Sequence, residues 1–349
     1  METETQPRKD IRKLKLDELK EFFVQHGDKA FRALQVYEWI WKKSAKDFEQ
    51  MTNLSLATRE MLKSHFAINH VLVDTMQRSN DGTIKNAVKL HDGLIVESVL
   101  IPAEKRITAC VSSQVGCSLA CKFCATARLK RMRNLNPDEI YDQVVAIREQ
   151  SELYFGRPLT NIVFMGMGEP LLNYANVIAA IDKITSPQGL NMAAKRITVS
   201  TVGIAKMIIK MADDEVKFNL AVSLHAALNE TRSSIMPIND TNSLEELAEA
   251  LKYWYAKRKK KVTYEYVVWD GINDSMEHAQ ALLKFCKIIP SKVNLIEYNP
   301  IDEGEFRQAG EDKILMYQHL LESNGITARV RKSRGKDIDA ACGQLANKS

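Results

Sequence analysis

Ile107-Thr108-Ala109-Cys110-Val111-Ser112-Ser113-Gln114-Val115-Gly116-Cys117-Ser118-Leu119-Ala120-Cys121-Lys122-Phe123-Cys124 joins a short apolar run to a loop with three cysteines, spaced four and three residues apart. The run from Ile107 to Ser112 reads as a strand, and the cysteines follow where it ends. Three thiolates make an incomplete metal site. A structural zinc ion closes its shell with four protein ligands, and no fourth Cys or His lies at ligand spacing. A cubane iron-sulfur cluster on three cysteines leaves one iron open to another ligand.

Outward from that loop, short apolar strands alternate with amphipathic helices, the pattern of a parallel sheet. Strands are expected at Ile107 to Ser112, Asn161 to Met165, Arg196 to Ser200, Lys217 to Leu224, Val262 to Val268, Lys292 to Tyr298 and Thr327 to Arg331. Helices such as Pro137 to Gln150, Leu244 to Lys257 and Met276 to Ile288 fill the gaps. Six or seven such units point to an α/β barrel, complete or partial, rather than a flat doubly wound sheet. Upstream, Val71 to Gln77, Thr83 to Leu90 and Leu94 to Ile101 are β-rich runs separated by Asn80-Asp81-Gly82 and His91-Asp92-Gly93. Asp-Gly turns between such runs predict two hairpins, hence a meander. Before them, Leu19, Phe22, Phe23, Phe31, Leu34, Tyr37, Ile40 and Trp41 recur at helical spacing. Helices are therefore expected over Leu16 to His26, Ala30 to Lys43 and Leu54 to His65. The chain divides into a helical module (1–68), a β-meander (69–104) and an α/β core (105–349).

A length of 349 residues allows about two domains. Six cysteines in such a chain are no disulfide framework, and Met1-Glu2-Thr3-Glu4-Thr5-Gln6 lacks a signal-peptide core. A cytoplasmic, reducing compartment is the expectation. No apolar run approaches the roughly 20 residues needed to span a bilayer, so no membrane partner is expected. The net charge of +5 is mild, and its distribution matters more. Arg128, Lys130, Arg131 and Arg133 form one basic cluster, 257–261 a second, and Arg329, Arg331, Lys332, Arg334 and Lys336 a third. Any one alone reads as a solvated face. Two of them flank cysteines, which favours a polyanionic substrate.

In parallel α/β folds the loops that follow the strands converge on one rim. The expected strand ends deliver the cysteine loop, Gly166-Met167-Gly168-Glu169-Pro170, Ser200-Thr201, Ser223-Leu224-His225 and Asn299-Pro300. Each singly fits a structural role, His225 as a core histidine for example, but together they outline a site. The three-cysteine spacing, with aromatic Phe123 before the last cysteine, resembles the radical S-adenosylmethionine (SAM) superfamily. That resemblance implies a partial radical-SAM (β/α) barrel and a [4Fe-4S] cluster on Cys117, Cys121 and Cys124, with SAM chelating the fourth iron. The Gly166 to Pro170 segment resembles the superfamily's glycine-glutamate-proline motif, which receives the cofactor's ammonium group. Phe123, Gly168, Glu169, Ser200, Ser223, Leu224, His225 and Asn299 are the cofactor-binding positions it implies.

Longer strings narrow the match. Cys110 to Cys117, Met165 to Leu171, Ser223-Leu224-His225, Met236-Pro237-Ile238-Asn239 and Asp337-Ile338-Asp339-Ala340-Ala341-Cys342-Gly343-Gln344-Leu345 resemble the RlmN/Cfr family of adenosine methyltransferases. The likeness covers nearly the whole chain, and Val115, Pro170 and Arg334-Gly335 resemble the RlmN branch. The family methylates an adenosine in the peptidyl-transferase centre of 23S ribosomal RNA. The RlmN branch acts at carbon 2, and in some transfer RNAs also beside the anticodon; Cfr acts at carbon 8.

An adenine carbon between two nitrogens is electron-poor and no nucleophile, so polar methyl transfer has no workable path. In the route the resemblance implies, Cys342 takes a methyl group from one SAM, and a second SAM is cleaved to a 5′-deoxyadenosyl radical. Two SAM molecules are thus used per methyl group. The radical removes hydrogen from the S-methyl group, and the carbon radical adds to adenine. Glu97 would accept a proton, and Cys110 would release the RNA by a transient disulfide with Cys342. From the residues alone, Glu97 on an alternating strand faces solvent, Cys110 in a strand is an inert buried thiol, and Cys286 is core packing. Arg128 to Arg133 are the expected RNA phosphate contact, with Lys13, Lys15 and Lys20 a second surface or mere packing. The expected partners are RNA (23S rRNA, tRNA) and an electron donor such as flavodoxin, and the expected state is a monomer. Two alternatives stand: a carbon 8 product, and a metal-stabilised RNA-binding protein without catalysis.

Overall fold

The computed structural model describes residues 8–302 and 304–347; the signal-peptide reading of Met1 to Gln6 lies outside the described residues. The helical module comprises β1 (Lys9–Asp10), α1 (Leu16–Gln25), α2 (Arg32–Trp41), α3 (Leu56–His65) and β2 (Phe66–Ala67). Its three helices are those the spacing predicts, each trimmed by a residue or two at its ends. The parallel β1–β2 pair has no two-residue signature in the sequence and was not expected.

Next come β3 (Leu72–Arg78), β4 (Ile84–Lys89), β5 (Ile95–Ala103) and β6 (Arg106–Cys110). Both Asp-Gly turns form as expected: Gly82 and Gly93 adopt φ of 85° and 82°. Asp81 and Asp92 each accept the amide two residues on, that of Thr83 at 2.9 Å and of Leu94 at 3.2 Å. The antiparallel β3, β4 and β5 are not a separate layer, because β5 pairs antiparallel with β6 and so extends the parallel sheet.

After the two-residue strands β7 (Gln114–Val115) and β8 (Arg133–Asn134), helices and parallel strands alternate. They are α4 (Pro137–Phe155), β9 (Asn161–Phe164), α5 (Tyr174–Thr185), β10 (Ile197–Thr201), α6 (Ala205–Asp213), β11 (Asn219–Ser223), α7 (Asn229–Ile235), α8 (Leu244–Arg258), β12 (Val262–Val267), α9 (Met276–Cys286), β13 (Ser291–Ile296), α10 (Glu311–Ser323) and β14 (Thr327–Arg331). All seven expected parallel strands are present, in the order β14-β13-β12-β11-β10-β9-β6, continued by β5-β4-β3. Among the described residues no pairing joins β14 back to β6, so the barrel is partial. α4 starts with Asn136 and Glu139 in a capping box around Pro137 and ends on Gly156 at φ 59°. Val111, just past the strand, still donates to the Val163 carbonyl of β9 at 3.0 Å, but Ser112, also expected within a strand, has left the ladder: its amide donates to Gln143 of α4 at 2.9 Å. This early departure lets the chain turn into the cysteine loop.

One buried cluster fixes the helical module on the core. The Arg12 guanidinium meets Asp142 at 2.8 Å, Asp138 at 3.1 Å and Asp10 at 3.3 Å, two carboxylates from α4 and one from its own segment. Beside it, Tyr141 donates to the Trp41 carbonyl at 2.5 Å while its ring stands edge-on to the Trp41 indole. Cys286 is fully buried in the core, as expected.

Candidate active site

The cysteine loop is a tight excursion closed by its own backbone. Gly116 adopts φ +73°, and a Cβ there would lie 2.3 Å from the Lys130 carbonyl oxygen. Only glycine lets the two arms of the loop approach so closely. Cys117, Cys121 and Cys124 line one cavity together with Phe123. Burial pushes the Cys117 thiol up to about 11 and raises Cys121 and Cys124 too, and the neighbouring sulfurs add to each. Three thiolates here need a cationic partner to stay ionised. Among the described residues no three His, Cys, Asp or Glu side chains converge as a single ion would need. The soft, all-thiolate donor set fits an iron-sulfur cluster.

The opposite wall is the Gly166 to Pro170 segment after β9. A Cβ on Gly168, where φ is +91°, would lie 2.5 Å from Gln114 Cβ. The Glu169 amide donates to Gln114 Oε1 at 2.9 Å, and its carboxylate accepts the amides of Leu171 at 3.0 Å and Val202 at 2.9 Å. Burial pushes the Glu169 carboxyl up to about 7. A cationic ligand group placed beside it would offset that penalty. Gly168→Ala is expected to displace Gln114, misalign Glu169 and weaken SAM binding to the reconstituted protein by about tenfold or more. Unchanged affinity in equilibrium dialysis would count against this wall as the cofactor cradle.

Further around the rim, Ser200 Oγ and Ser223 Oγ lie 3.5 Å apart. His225 is buried and accepts the Val267 amide on Nδ1 at 3.2 Å, so its ring proton sits on Nε2. Burial, then the Arg232 cation, lowers its pKa to about 3, so the ring stays neutral. Its ring packs edge-on against Phe123 at 4.8 Å between centroids. Asn299 holds the Cys342 carbonyl with Nδ2 at 3.3 Å, while its buried Oδ1 has no partner among the described residues and can receive a ligand donor. The cavity is lined by Phe123, Gly168, Glu169, Ser200, Ser223, His225 and Asn299. Leu224 is the exception. Its side chain is fully buried in the core and absent from the lining, and it contributes backbone bonds to Glu265 and Arg232.

Cys342 lines this cavity and also a second one, which Cys110 lines too. Burial, reinforced by the Cys342 thiol, pushes Cys110 up to about 12, and Arg331 partly offsets the shift. The segment carrying Cys342, bracketed by Gly335 and Gly343, is tied to the rest of the chain along its length. Gly335 donates to Asp81 at 3.0 Å, and Asp337 accepts from Ser79 at 2.6 Å. The Gly343 carbonyl accepts from Ala125 at 2.7 Å, and the Leu345 carbonyl from Thr126 at 2.6 Å. Glu97 lines neither cavity and does not face solvent: its side chain is 1% exposed. Lys85 lies 3.3 Å from Oε1, and Oε2 accepts the amides of Ala346 at 2.8 Å and Asn347 at 3.1 Å.

The basic clusters are sorted differently from the expectation. Arg133 is engaged by Asp92 at 2.7 Å and Glu139 at 2.8 Å, and the Arg128 guanidinium bonds the Asp302 carbonyl. The second cavity is instead lined by Arg106, Lys292, Arg329, Arg331, Lys332 and Arg334. Glu265, on the floor of both cavities, was missed by sequence reasoning. Its Oε1 accepts from Asn294 at 2.8 Å and Oε2 lies 3.9 Å from Arg331. A lone acid inside the apolar run Val262 to Val268 was the available signal.

Comparison with known proteins agrees with this geometry. Residues 9–68 match the family described as the ribosomal RNA large subunit methyltransferase N-terminal domain, and residues 111–283 match the radical SAM superfamily. A Christiangramia forsetii protein described as a probable dual-specificity RNA methyltransferase RlmN is 68% identical over 342 residues, covering 98% of this chain and 97% of that protein. A Salinibacter ruber protein of the same description is 44% identical over 348 residues, covering 97% of this chain and 94% of that one. The crystal structure of a radical SAM methyltransferase from Sphaerobacter thermophilus superimposes with a TM-score of 0.92 at 38% identity. It covers 97% of this chain and 100% of its own.

Proposed function

This chain belongs to the RlmN family of radical SAM RNA methyltransferases, and we propose that it methylates carbon 2 of adenosine in 23S ribosomal RNA and in transfer RNA through a methylated Cys342. One observation carries the reading: Cys342 stands on the boundary of two cavities, with the cluster-type cysteines in one and Cys110 in the other. A sulfur there can be methylated from one side and present that carbon to the base on the other.

Cys117, Cys121 and Cys124 would hold the [4Fe-4S] cluster, and the Gly168, Glu169, Ser200, Ser223, His225 and Asn299 wall would hold SAM. Cluster and cofactor together supply a carbon radical able to take hydrogen from a methyl group. The chain's own residues do the rest. Cys342 accepts the methyl group as a thiolate nucleophile and later carries the ring-bound carbon. Glu97 takes the proton that the ring carbon loses. Cys110 attacks the Cys342 sulfur, forming a disulfide while the departing carbon keeps the electron pair and gains a proton. The target base must be unstacked to reach the sulfur, and the cations around the second cavity would bind flanking phosphates. The helical module, with Lys13 and Lys15 exposed, is proposed as a further RNA surface. An electron donor such as flavodoxin and a monomeric state complete the reading.

The test is mass-spectrometric mapping of modified adenosines in RNA from cells with and without the protein. Loss of 2-methyladenosine from both RNA classes is the expected result. A carbon 8 product would overturn the position, and loss from one class alone would restrict the substrate.

A further inference from the structure

We propose that Lys85 is a positioning residue for Glu97, and that the two carboxylate oxygens have divided duties. Lys85 holds Oε1, and Oε2 is the proton-accepting oxygen, covered by the C-terminal tail until the Cys342 segment moves. This rests on the reading of Glu97 as the base.

The register brings the groups together. Ala87 stands opposite Glu97 and Lys85 opposite Val99 in the antiparallel β4–β5 pair, so Lys85 and Glu97 are diagonal neighbours on one sheet face. Val99 in turn stands opposite Cys110. Lysine, base and resolving thiol therefore share a face. Lys85 Nζ lies 3.3 Å from Glu97 Oε1, with the two side chains 5% and 1% exposed. Lysine is almost never so buried unless paired, and taking both charges out of water is costly. A sheet built for stability alone would fill these positions with apolar side chains.

Among the described residues, every group that bonds the Glu97 carboxylate falls on one side of this division, while Ser112 Oγ donates to the Glu97 carbonyl at 2.5 Å. From β4 comes Lys85, on Oε1. From the tail come the amides of Ala346 at 2.8 Å and Asn347 at 3.1 Å, both on Oε2. From the segment after β9, Met167 Sδ accepts the Glu97 amide at 3.2 Å and fixes the backbone. No second cation or carboxylate pairs with Glu97 among the described residues. Because the tail follows Cys342 within a few residues, a shift that carries the Cys342 sulfur to the ring also pulls the two amides off Oε2. Lys85 keeps the carboxylate from swinging away as that happens, leaving one oxygen without donors where a proton must be received. At that step the ring carbon passes its proton to Oε2 and the C–H electron pair stays in the ring. The odd electron of the adduct passes to a one-electron acceptor of the iron-sulfur class.

The experiment compares Lys85→Met, Lys85→Arg and Glu97→Gln in the full-length reconstituted protein, using RNA with protium or deuterium on carbon 2 of the target adenosine. Methylation of Cys342, read by intact-protein mass spectrometry, precedes any need for the base and should stay within about twofold of the parent in both Lys85 variants. Transfer to RNA should fall by about 100-fold in Lys85→Met, with a larger deuterium isotope effect than the parent shows, and Lys85→Arg should recover most of it. Parental transfer or an unchanged isotope effect in Lys85→Met overturns the proposal. Loss of Cys342 methylation in both Lys85→Met and the milder Lys85→Gln does so too, since Lys85 would then hold the fold rather than the base. If Glu97→Gln transfers normally, the reading of Glu97 itself fails. If Glu97→Gln is impaired and Lys85→Met is not, only the inference about Lys85 fails.

Discussion

Cys342→Ala should retain a bound cluster and a normal melting temperature while methyl transfer to RNA drops by at least about a thousandfold. The side chain is exposed, and the bonds described above for its segment do not run through the Cys342 sulfur; Asn299 takes the backbone carbonyl. Removing one sulfur from such a place should change stability by no more than about 0.5 kcal/mol. The loss would therefore be chemical. No other described thiol lines both cavities, so no neighbour can substitute. Iron analysis, cofactor cleavage by the reduced protein and transfer to RNA are the three measurements. Persistent transfer with intact iron content would rule out the covalent route through Cys342.

For Cys110→Ala the expected result is the opposite kind of failure: methyl groups reach Cys342 and RNA becomes attached, but the attachment is not resolved. A protein-RNA adduct should accumulate to a large share of the enzyme, visible as a band on a denaturing gel that nuclease treatment removes. Cys110 is buried, so the substitution costs about 1 kcal/mol, too little to unfold the chain. Burial and the adjacent Cys342 hold the Cys110 thiol near 12, with Arg331 in partial opposition, so thiolate is scarce in the resting arrangement. Resolution should therefore be the step most sensitive to Arg331. Absence of any adduct would remove Cys110 from the mechanism.

The cysteine loop was legible because metal ligation demands particular residue types at particular spacing, and both survive in one line of sequence. The seven parallel strands were legible because burial on both faces writes a continuous apolar run. Their joint arrangement followed from the rule that strand-end loops share a rim. Other residues depend on partners that no local pattern shows. Glu97 looked solvent-facing because alternation cannot distinguish a second covered face from an open one. Leu224, which the resemblance places with Ser223 and His225, turns its side chain into the core, which its sequence neighbours do not reveal. Arg133 joined a basic cluster on charge, although Asp92 and Glu139 already engage it.

The sequence by itself determined the α/β class, the cysteine trio, the two Asp-Gly hairpins and the family likeness, all of which depend on local spacing. The tertiary structure decided what those parts do to one another. It turned the 80–82 hairpin into an anchor for the Cys342 segment, with Asp81 holding Gly335 and Ser79 holding Asp337 across more than 250 residues of chain. It buried Glu97 between Lys85 and the tail amides, and it left the barrel open beside β14, where the third basic cluster lines the second cavity. Such partnerships leave no spacing in the sequence because folding, and not proximity along the chain, brings the groups together.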